Sequence, residues 1–317
     1  MSLSEIIARR TAASTEDSPG YTVTPEPQEE PWGVARSVTP SGLEIYYQAG
    51  PKRLYRVDGG EVPSVSTILE VLDKGGLSWW GMTIGVQGIA QLLERKCLAW
   101  DDEREDPCFR HQTALSGMVE WEDVKSTEGL VELLKTHKLT VNHVKKDAAD
   151  RGTNVHSALE SWYETGTIPD PQFYPEHERG YVQGLVEFLT DADPIGRMSE
   201  VMVASNEHGY AGRFDMVAHI EGDVVVKAYP KRPPKRAQVS GTWLLDLKTS
   251  KGVYPSYHLQ LAAYRAALLE CGYETVDHAG VVRVTADGRY ELVEGRAFHD
   301  QFLSVLAVHH AIKEIGS

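Results

Sequence analysis

The chain has 317 residues and a net charge of −14, with 46 acidic against 32 basic side chains. Hydrophobic residues make up 41% of it, enough for one large domain or for a core with an accessory lobe. Three cysteines at scattered positions argue against a disulfide framework, no apolar run is long enough to cross a bilayer, and the N-terminus lacks the apolar stretch of a secretory signal. We therefore expect a cytoplasmic protein without a membrane partner.

The first part of the chain changes character at Trp32. Residues 1–31 are rich in Ser, Thr, Pro and Glu, which is typical of a flexible tail. From Trp32 to Val62 apolar and polar residues alternate, and Asp58-Gly59-Gly60 predicts a hairpin or small meander. Ser64 or Ser66 is placed to cap a following helix. With further helices expected at 82–97 and 127–137, residues 32–140 are predicted to form a mostly helical accessory lobe.

Residues 141–317 show an alternation of helix and strand patterns that predicts a second unit. A long helix at about 140–165 would place His156 and Glu160 on one face, because they are four residues apart. Helices at 173–190, 255–271 and 298–315, strands at 198–205, 210–220, 223–229 and 242–249, and a hairpin at 276–293 follow. This order predicts an α/β (mixed α+β) fold with a central mixed sheet flanked by helices.

An acidic and a basic side chain lie two residues apart in the apolar strand pattern Leu244–Lys248. Residues i and i+2 of a strand point to the same face, so Asp246 and Lys248 would project together while Leu245 and Leu247 enter the core. A second carboxylate, Asp215, lies in another apolar strand pattern. Two carboxylates and a lysine suit a divalent metal that activates water, with a cation beside the developing negative charge. The chemistry that this best fits is phosphodiester hydrolysis.

Four motifs occur in a fixed order between about residues 145 and 290. They are Gly-x-x-x-His followed by Glu (Gly152, His156, Glu160), Gly-x-x-Asp (Gly212 to Asp215), Asp-x-Lys (Asp246 to Lys248) and Gln-x-x-x-Tyr (Gln260 to Tyr264). Together they resemble the PD-(D/E)xK nuclease superfamily, in particular its RecB-like exonucleases of the CRISPR-associated and phage type. The resemblance implies a restriction-endonuclease-like core. It also implies roles for individual residues.

The resemblance implies a site that binds one or two Mg²⁺ or Mn²⁺ ions, and a histidine ligand favours manganese as a good substitute. Lys248 would orient the attacking water or stabilise the transition state. No iron–sulfur cluster is expected, because the relatives that carry one use four cysteines and this chain has three. The implied metal ligands are His156, Asp215, Asp246 and the carbonyl oxygen of Leu247, and the implied catalytic set is Lys248, Asp215, Asp246, Glu200, Gln260 and Tyr264.

Several of these residues have a plain structural alternative. Glu160 could support His156 or be a solvated helix residue, and Glu200 could face the site or lie at a strand edge. Tyr264 could simply pack, and Arg213 could contact a phosphate or be exposed. A basic, proline-rich insertion at 230–241 is a candidate DNA-binding segment or an ordinary solvated loop. Its basic residues are Lys231, Arg232, Lys235 and Arg236, and the alternative DNA contact is the helix face with Lys145, Lys146 and Arg151.

The function predicted from these features is a metal-dependent DNA exonuclease acting at DNA ends in phage or prophage recombination or replication. The chain carries no Gly-x-x-x-x-Gly-Lys-Ser/Thr phosphate loop. It would therefore need a linear end or a single strand, with a helicase or a single-strand annealing or binding protein as a candidate partner. The nearer alternative is a restriction-like or structure-specific endonuclease of the same fold. The more distant one is a non-catalytic DNA-end-binding module.

Overall fold

The computed structural model describes residues 28–30, 34–49, 54–72, 77–94, 99–101, 106–108, 127–229 and 231–316. Most of the predicted tail, residues 1–27, lies outside the described residues. In the part of the chain that is described, no helix is both long enough and apolar enough to cross a membrane. The described residues form a mixed fold, with helices, two five-stranded β-sheets and a short two-stranded sheet.

The first sheet is an antiparallel meander, as the alternating pattern predicted. Asp58 and Gly59 form its tight turn with φ angles of 47° and 85°, which suits the aspartate–glycine pair. Ile45, Tyr55 and Val57 point to its buried face. Its strands are β1 (Gln28–Glu30), β2 (Val34–Val38), β3 (Glu44–Gln48), β4 (Leu54–Val57) and β5 (Gly60–Val62), in that order across the sheet.

After this sheet, the described residues form several short elements and two longer helices. Ser64 caps the first helix by accepting a hydrogen bond from the Thr67 amide at 3.1 Å, which confirms the predicted cap. The remaining two helices match the helices expected near 82–97 and 127–137. The elements are α1 (Val65–Leu69), α2 (Leu77–Glu94), β6 (Ala99–Asp101), β7 (Asp106–Cys108) and α3 (Thr127–Thr136).

The long helix predicted to carry His156 is present as α4 (Val141–Thr165). Thr140 caps its first turn, and Gly166 ends it with a left-handed φ of 69°, a conformation that glycine adopts without strain. A 3-10 turn (Pro171–Phe173) then leads to α5 (Arg179–Ala192). The helix expected at 173–190 therefore begins later than its sequence pattern indicated.

The second sheet is mixed and has the strand order β12-β11-β10-β9-β8. Only β10 and β11 pair in parallel, and the helix α6 connects them, as parallel strands require. A final helix, α7, follows the last strand. The bounds are β8 (Ile195–Ser205), β9 (Tyr210–Lys227), β10 (Lys235–Lys248), α6 (Pro255–Glu270), β11 (His278–Val284), β12 (Tyr290–Glu294) and α7 (His299–Gly316).

Two predictions about the region 210–241 were wrong. The strands expected at 210–220 and 223–229 are one strand, β9, and residues 235–241 of the supposed insertion belong to β10. The prolines explain the error, because proline lacks the N–H that a sheet ladder needs. The sequence places them at 230, 233 and 234. They are confined to the connection, and β10 begins at the residue that follows the last one.

The second sheet is covered on both faces. One face packs against α6, α7, α1 and the first sheet, with Phe214, Leu244 and Val281 in this core. The other face packs against α4 and α5, with Met216, Leu245 and Val282 in that core. Burial on both faces explains the near-continuous apolar runs of these strands. A polar side chain in their middle is therefore costly unless it is paired or binds a ligand.

Candidate metal centre

The centre of the candidate site is a contact between α4 and β9. Nδ1 of His156 lies 3.3 Å from Oδ1 of Asp215. His156 is half-buried and follows the fully buried Val155, so the buried side of α4 directs this histidine toward the sheet. The structure thus brings together two residues that lie 59 positions apart in the sequence and that belong to two of the four motifs.

Asp215 lies where β9 and β10 stop pairing. The last paired residues of the two strands are Met216 and Leu245. Beyond them, Oδ2 of Asp215 accepts a hydrogen bond from the Leu247 amide at 2.6 Å. A side-chain carboxylate therefore takes the place of a sheet carbonyl, which satisfies the freed amide and fixes the carboxylate. Leu247 contacts the centre through this amide, whereas the resemblance implies a role for its carbonyl oxygen.

Asp246 and Lys248 project together from β10, as the two-residue spacing predicted. Nζ of Lys248 donates to Oδ1 of Asp246 at 2.7 Å, while Leu245 and Leu247 are buried. Asp246 is only 1% exposed, and its other oxygen, Oδ2, is buried without a hydrogen-bond partner. A buried carboxylate oxygen without a partner is costly, because it has lost its water. Such an atom is suited to a ligand that supplies positive charge.

Glu200 faces Asp215 across the β8–β9 pair. Ser199 pairs with Met216 and Val201 with Phe214, which places Glu200 opposite Asp215. The φ angle of Glu200 is 52°, in the left-handed region that residues other than glycine rarely adopt. Such a conformation costs about 1–3 kcal/mol and occurs mainly at functional sites, where the surrounding structure holds it in place.

Arg213 holds the strained glutamate in place. Its Nε lies 2.8 Å from Oε2 of Glu200, and its guanidinium lies 5.9 Å from the ring centroid of Tyr47 in the first sheet. Arg213 therefore has a role in this structure as the partner of Glu200. It remains partly exposed beside the centre.

Three side chains can offer ligand atoms to one ion. One atom each from His156, Glu200 and Asp215 lies within 4.8 Å of the other two. Oxygen and nitrogen ligands that share a divalent ion lie about 2.0–2.6 Å from it, so donors at this separation can reach a common ion. One imidazole and two carboxylates suit Mn²⁺ or Mg²⁺. The partnerless oxygen of Asp246 is a further donor close by, since Asp246 interacts electrostatically with His156 and Asp215.

The pKa values of these side chains show how strongly the groups interact. Burial alone would lower the pKa of His156, but the carboxylate of Asp215 overrides it and raises that pKa to about 9. Burial acts to raise the pKa of Asp215, yet His156, Lys248 and the Leu247 amide hold it below its ordinary value. Burial, reinforced by Asp215, raises the pKa of Glu200 to about 7. The protonated imidazole of His156 therefore partly balances the negative charge of the neighbouring carboxylates.

Asp246 and Lys248 both have raised pKa values, for different reasons. Burial is the main cause for Asp246, whose pKa rises to about 6 despite its lysine partner. Burial would lower the pKa of Lys248, but the two carboxylates Asp246 and Asp215 together raise it. The lysine is therefore held in its charged form beside the two carboxylates.

The Gln-x-x-x-Tyr motif lies beneath the site on α6. Nε2 of Gln260 donates to the hydroxyl of Tyr264 at 3.2 Å, and Tyr264 is 4% exposed. This ring packs against Gly212 of the Gly-x-x-Asp motif. Glu160 lies close enough to Glu200 to raise its pKa, which places Glu160 on the site's side of α4.

A series of contacts across the sheet links the start of the connection between β9 and β10 with the position of Lys248. Lys248, Arg283 and Glu291 lie side by side on β10, β11 and β12. Arg283 donates to Glu291 at 2.8 Å, and Glu291 accepts from the Ala228 amide at 3.1 Å. Since neighbouring strands are about 4.8 Å apart, Glu291 lies about 10 Å from Lys248 across the sheet.

The four basic residues of the predicted insertion differ in their surroundings. Two of them, Lys231 and Arg232, lie in the connection, and Lys235 and Arg236 are the first residues of β10. Lys231 and Lys235 are exposed, and the guanidinium of Arg232 lies 3.7 Å from the ring centroid of Tyr229. Arg236 instead forms ion pairs of 2.9 Å with both Asp191 and Asp223. The structure therefore ties Arg236 to acidic neighbours and leaves the other three directed at solvent or at an aromatic ring.

Two residues near the centre were missed from the sequence. The ring of Tyr257 lies 5.2 Å from Nζ of Lys248, and Tyr47 lies beneath Arg213. Tyr257 is three residues before Gln260 on the same helix, so the helical period could have shown that both share a face. Tyr47 belongs to the first sheet, and only tertiary packing brings it to the site.

No protein-family model matches this chain, and no curated protein matches it either. Among solved structures, the crystal structure of SSO0001 is similar over 73% of this chain and 85% of its own, at 13% sequence identity and a TM-score of 0.30. A similarity this distant supports no statement about function.

Proposed function

We propose that this chain is a Mg²⁺- or Mn²⁺-dependent deoxyribonuclease that acts as an exonuclease on DNA ends. The observation that carries the proposal is the buried carboxylate of Asp246, with one oxygen held by Lys248 at 2.7 Å and the other without a partner. This arrangement adjoins the three donors His156, Glu200 and Asp215. Carboxylates that gather around a cation site, with a lysine alongside, suit hydrolysis of a phosphodiester.

Each side chain has a defined task in this proposal. His156, Glu200, Asp215 and Asp246 would hold the ion, with Leu247 keeping Asp215 in position. When bound, the ion would polarise a phosphoryl oxygen and lower the pKa of the attacking water. Lys248 would stabilise the negative charge that develops on the phosphate, since both carboxylates keep it protonated. Gln260 and Tyr264 would support β9 and β10 from below.

The fold proposed for residues 141–317 is a restriction-endonuclease-like core of the PD-(D/E)xK type. Its support is the order of the four motifs along the chain and the contacts between them. His156 contacts Asp215, Asp215 contacts Leu247 of the Asp-x-Lys motif, and Tyr264 packs on Gly212. The same proposal gives the protein a place in phage or prophage recombination, beside a helicase or a single-strand annealing protein.

A cleavage assay on matched substrates tests this function. Linear and covalently closed circular DNA, each single- and double-stranded and the linear forms labelled at either end, would be incubated with Mg²⁺, Mn²⁺ or EDTA. The proposal predicts metal-dependent release of nucleotides from linear DNA and intact circles. Cleaved circles would instead assign an endonuclease. Tight binding without any cleavage would assign a non-catalytic module.

A further inference from the structure

An exposed aromatic side chain lies next to the candidate site on the segment that follows Lys248. Tyr254 is 48% exposed, although the body of a tyrosine is apolar. Its ring packs edge-on against Tyr257, with centroids 5.5 Å apart and an angle of 81° between the planes. The ring of Tyr257 in turn lies 5.2 Å from Nζ of Lys248. Two aromatic rings therefore lead from the catalytic lysine to solvent.

The backbone around Tyr254 is well fixed. Tyr254 is the residue before Pro255, the first residue of α6, and has an extended backbone with a φ of −104° and a ψ of 153°. Its carbonyl accepts a hydrogen bond from the Tyr257 amide at 3.0 Å. A proline restricts the preceding residue to this extended region. A ring on such a rigid segment loses little conformational entropy when it binds a flat ligand.

Spacing and chemistry identify the ligand that this ring would take. The distance from Nζ of Lys248 to the ring of Tyr257 is 5.2 Å, and the distance from that ring to the ring of Tyr254 is 5.5 Å. Because successive nucleotides of one strand rise by about 3.4 Å in a duplex, these two distances together correspond to a few nucleotides at most. Exposed aromatic rings in single-strand-binding proteins stack on bases without regard to sequence. A base that is paired inside a duplex is already stacked on both sides, so it is not available to such a ring.

We infer that Tyr254 is a stacking platform for an unpaired base within a few nucleotides of the scissile phosphate, and that the protein prefers single-stranded DNA. This inference rests on the proposed nuclease function for the position of the phosphate. It adds the strand preference, which the metal centre alone does not determine. Tyr257 positions the ring of Tyr254 and separates it from Lys248.

A binding experiment in EDTA tests the inference, because metal-dependent cleavage cannot then consume the probe. The probes are a labelled oligodeoxythymidine, an abasic backbone of the same length and a blunt duplex, measured by fluorescence anisotropy. The proteins are the unchanged chain, Tyr254→Ala and Tyr254→Phe, with Phe298→Ala as the control. Phe298 is 75% exposed, so its removal controls for the loss of any exposed ring.

Tyr254→Ala should weaken binding of oligodeoxythymidine by about 5-fold to 150-fold, the equivalent of the roughly 1–3 kcal/mol of one base–aromatic stack. It should bind the abasic strand as the unchanged chain does. Tyr254→Phe and Phe298→Ala should retain full affinity. Equal losses on the thymidine and abasic strands, or no loss on either, would overturn the inference, as would an equal loss on duplex.

Cleavage measured separately with Mn²⁺ distinguishes this inference from the function on which it rests. If the unchanged chain binds single strands through Tyr254 yet cleaves no DNA, the nuclease proposal fails and the stacking platform stands. If it cleaves DNA but Tyr254→Ala binds all probes as the unchanged chain does, the platform fails and the nuclease stands. In the supported case Tyr254→Ala should raise KM for single strands and leave kcat nearly unchanged.

Discussion

Gly212 and Tyr264 are in contact at a distance that leaves no room for a side chain at position 212. A Cβ added to Gly212 would lie 2.5 Å from Cε1 of Tyr264, whose ring is 4% exposed. Packing of the tyrosine of one motif therefore requires glycine at this position of another motif. This contact fixes β9 over α6 three residues before Asp215, so packing at this point helps to set the position of the Asp215 carboxylate.

Gly212→Ala should lower the free energy of unfolding by about 1–3 kcal/mol, because the buried ring must shift to admit a methyl group. Gly85→Ala is the matched control. Gly85 lies in α2 with open space around its Cα, so alanine there should be neutral or slightly stabilising. Urea unfolding of both variants measures the difference. Equal stabilities would show that Tyr264 does not require the glycine.

Much of this arrangement could be predicted from the sequence, because it depends on short-range periodicity. The two-residue period of a strand was sufficient to bring Asp246 and Lys248 together. The left-handed backbone of Glu200 could not be predicted, since glutamate rarely adopts it and the ion-pair partner, Arg213, lies on the neighbouring strand. The lengths of β9 and β10 were also predicted wrongly, because pairing with a neighbouring strand, and not local propensity, decides how far a polar strand continues.

The raised pKa of His156 predicts that metal affinity depends on pH. Its pKa of about 9 lies above the ordinary value, so in the metal-free protein the proton stabilises the fold below about pH 6.5, and this stabilisation is lost as the pH rises toward 9. Metal must displace that proton. Affinity for Mg²⁺ should therefore rise by up to about tenfold per pH unit between about pH 7 and pH 9.

Isothermal titration calorimetry across this range measures the effect, and His156→Gln is the control. The variant has no imidazolium proton to displace at this position, so its weaker affinity should rise less steeply with pH than that of the unchanged chain. A pH-independent affinity in the unchanged chain would contradict the assignment of His156 as a ligand.

Lys248→Met should lower kcat by about 100-fold or more, as the loss of one charge contact to a transition state does. Metal affinity should fall far less, because the ligand donors remain. Lys251→Met is the control, since Lys251 is exposed and lies three residues downstream. Single-turnover cleavage and calorimetry separate the two effects. Lost metal affinity at unchanged turnover would refute the role given to Lys248.

DNA phosphates should be contacted by Lys231 and Arg232 of the connection between β9 and β10 and by Lys235, the first residue of β10. Replacing these three residues with Gln should weaken DNA binding and reduce the slope of log affinity against log salt by about 0.7–0.9 for each lost contact. Turnover at saturating DNA should remain unchanged. An unchanged slope would show that the segment is solvated, and DNA contact would then fall to Lys145, Lys146 and Arg151.

Arg236→Gln provides the contrast within the same segment. Arg236 pairs with Asp191 and Asp223, so its replacement should lower the free energy of unfolding. The slope of log affinity for DNA against log salt should stay nearly constant. A slope that falls as much as for one of the other three residues would return Arg236 to the DNA-binding set.

The most direct test of the metal centre is cleavage of end-labelled linear DNA by Asp246→Asn with Mn²⁺. Asparagine keeps the size of the side chain and removes the charge of the oxygen that has no partner in the structure. We expect a folded protein, with a circular dichroism spectrum like that of the unchanged chain, and cleavage reduced to the level seen in EDTA. Asp215→Asn should behave in the same way. Full cleavage by either well-folded variant would contradict a metal-dependent site at this position.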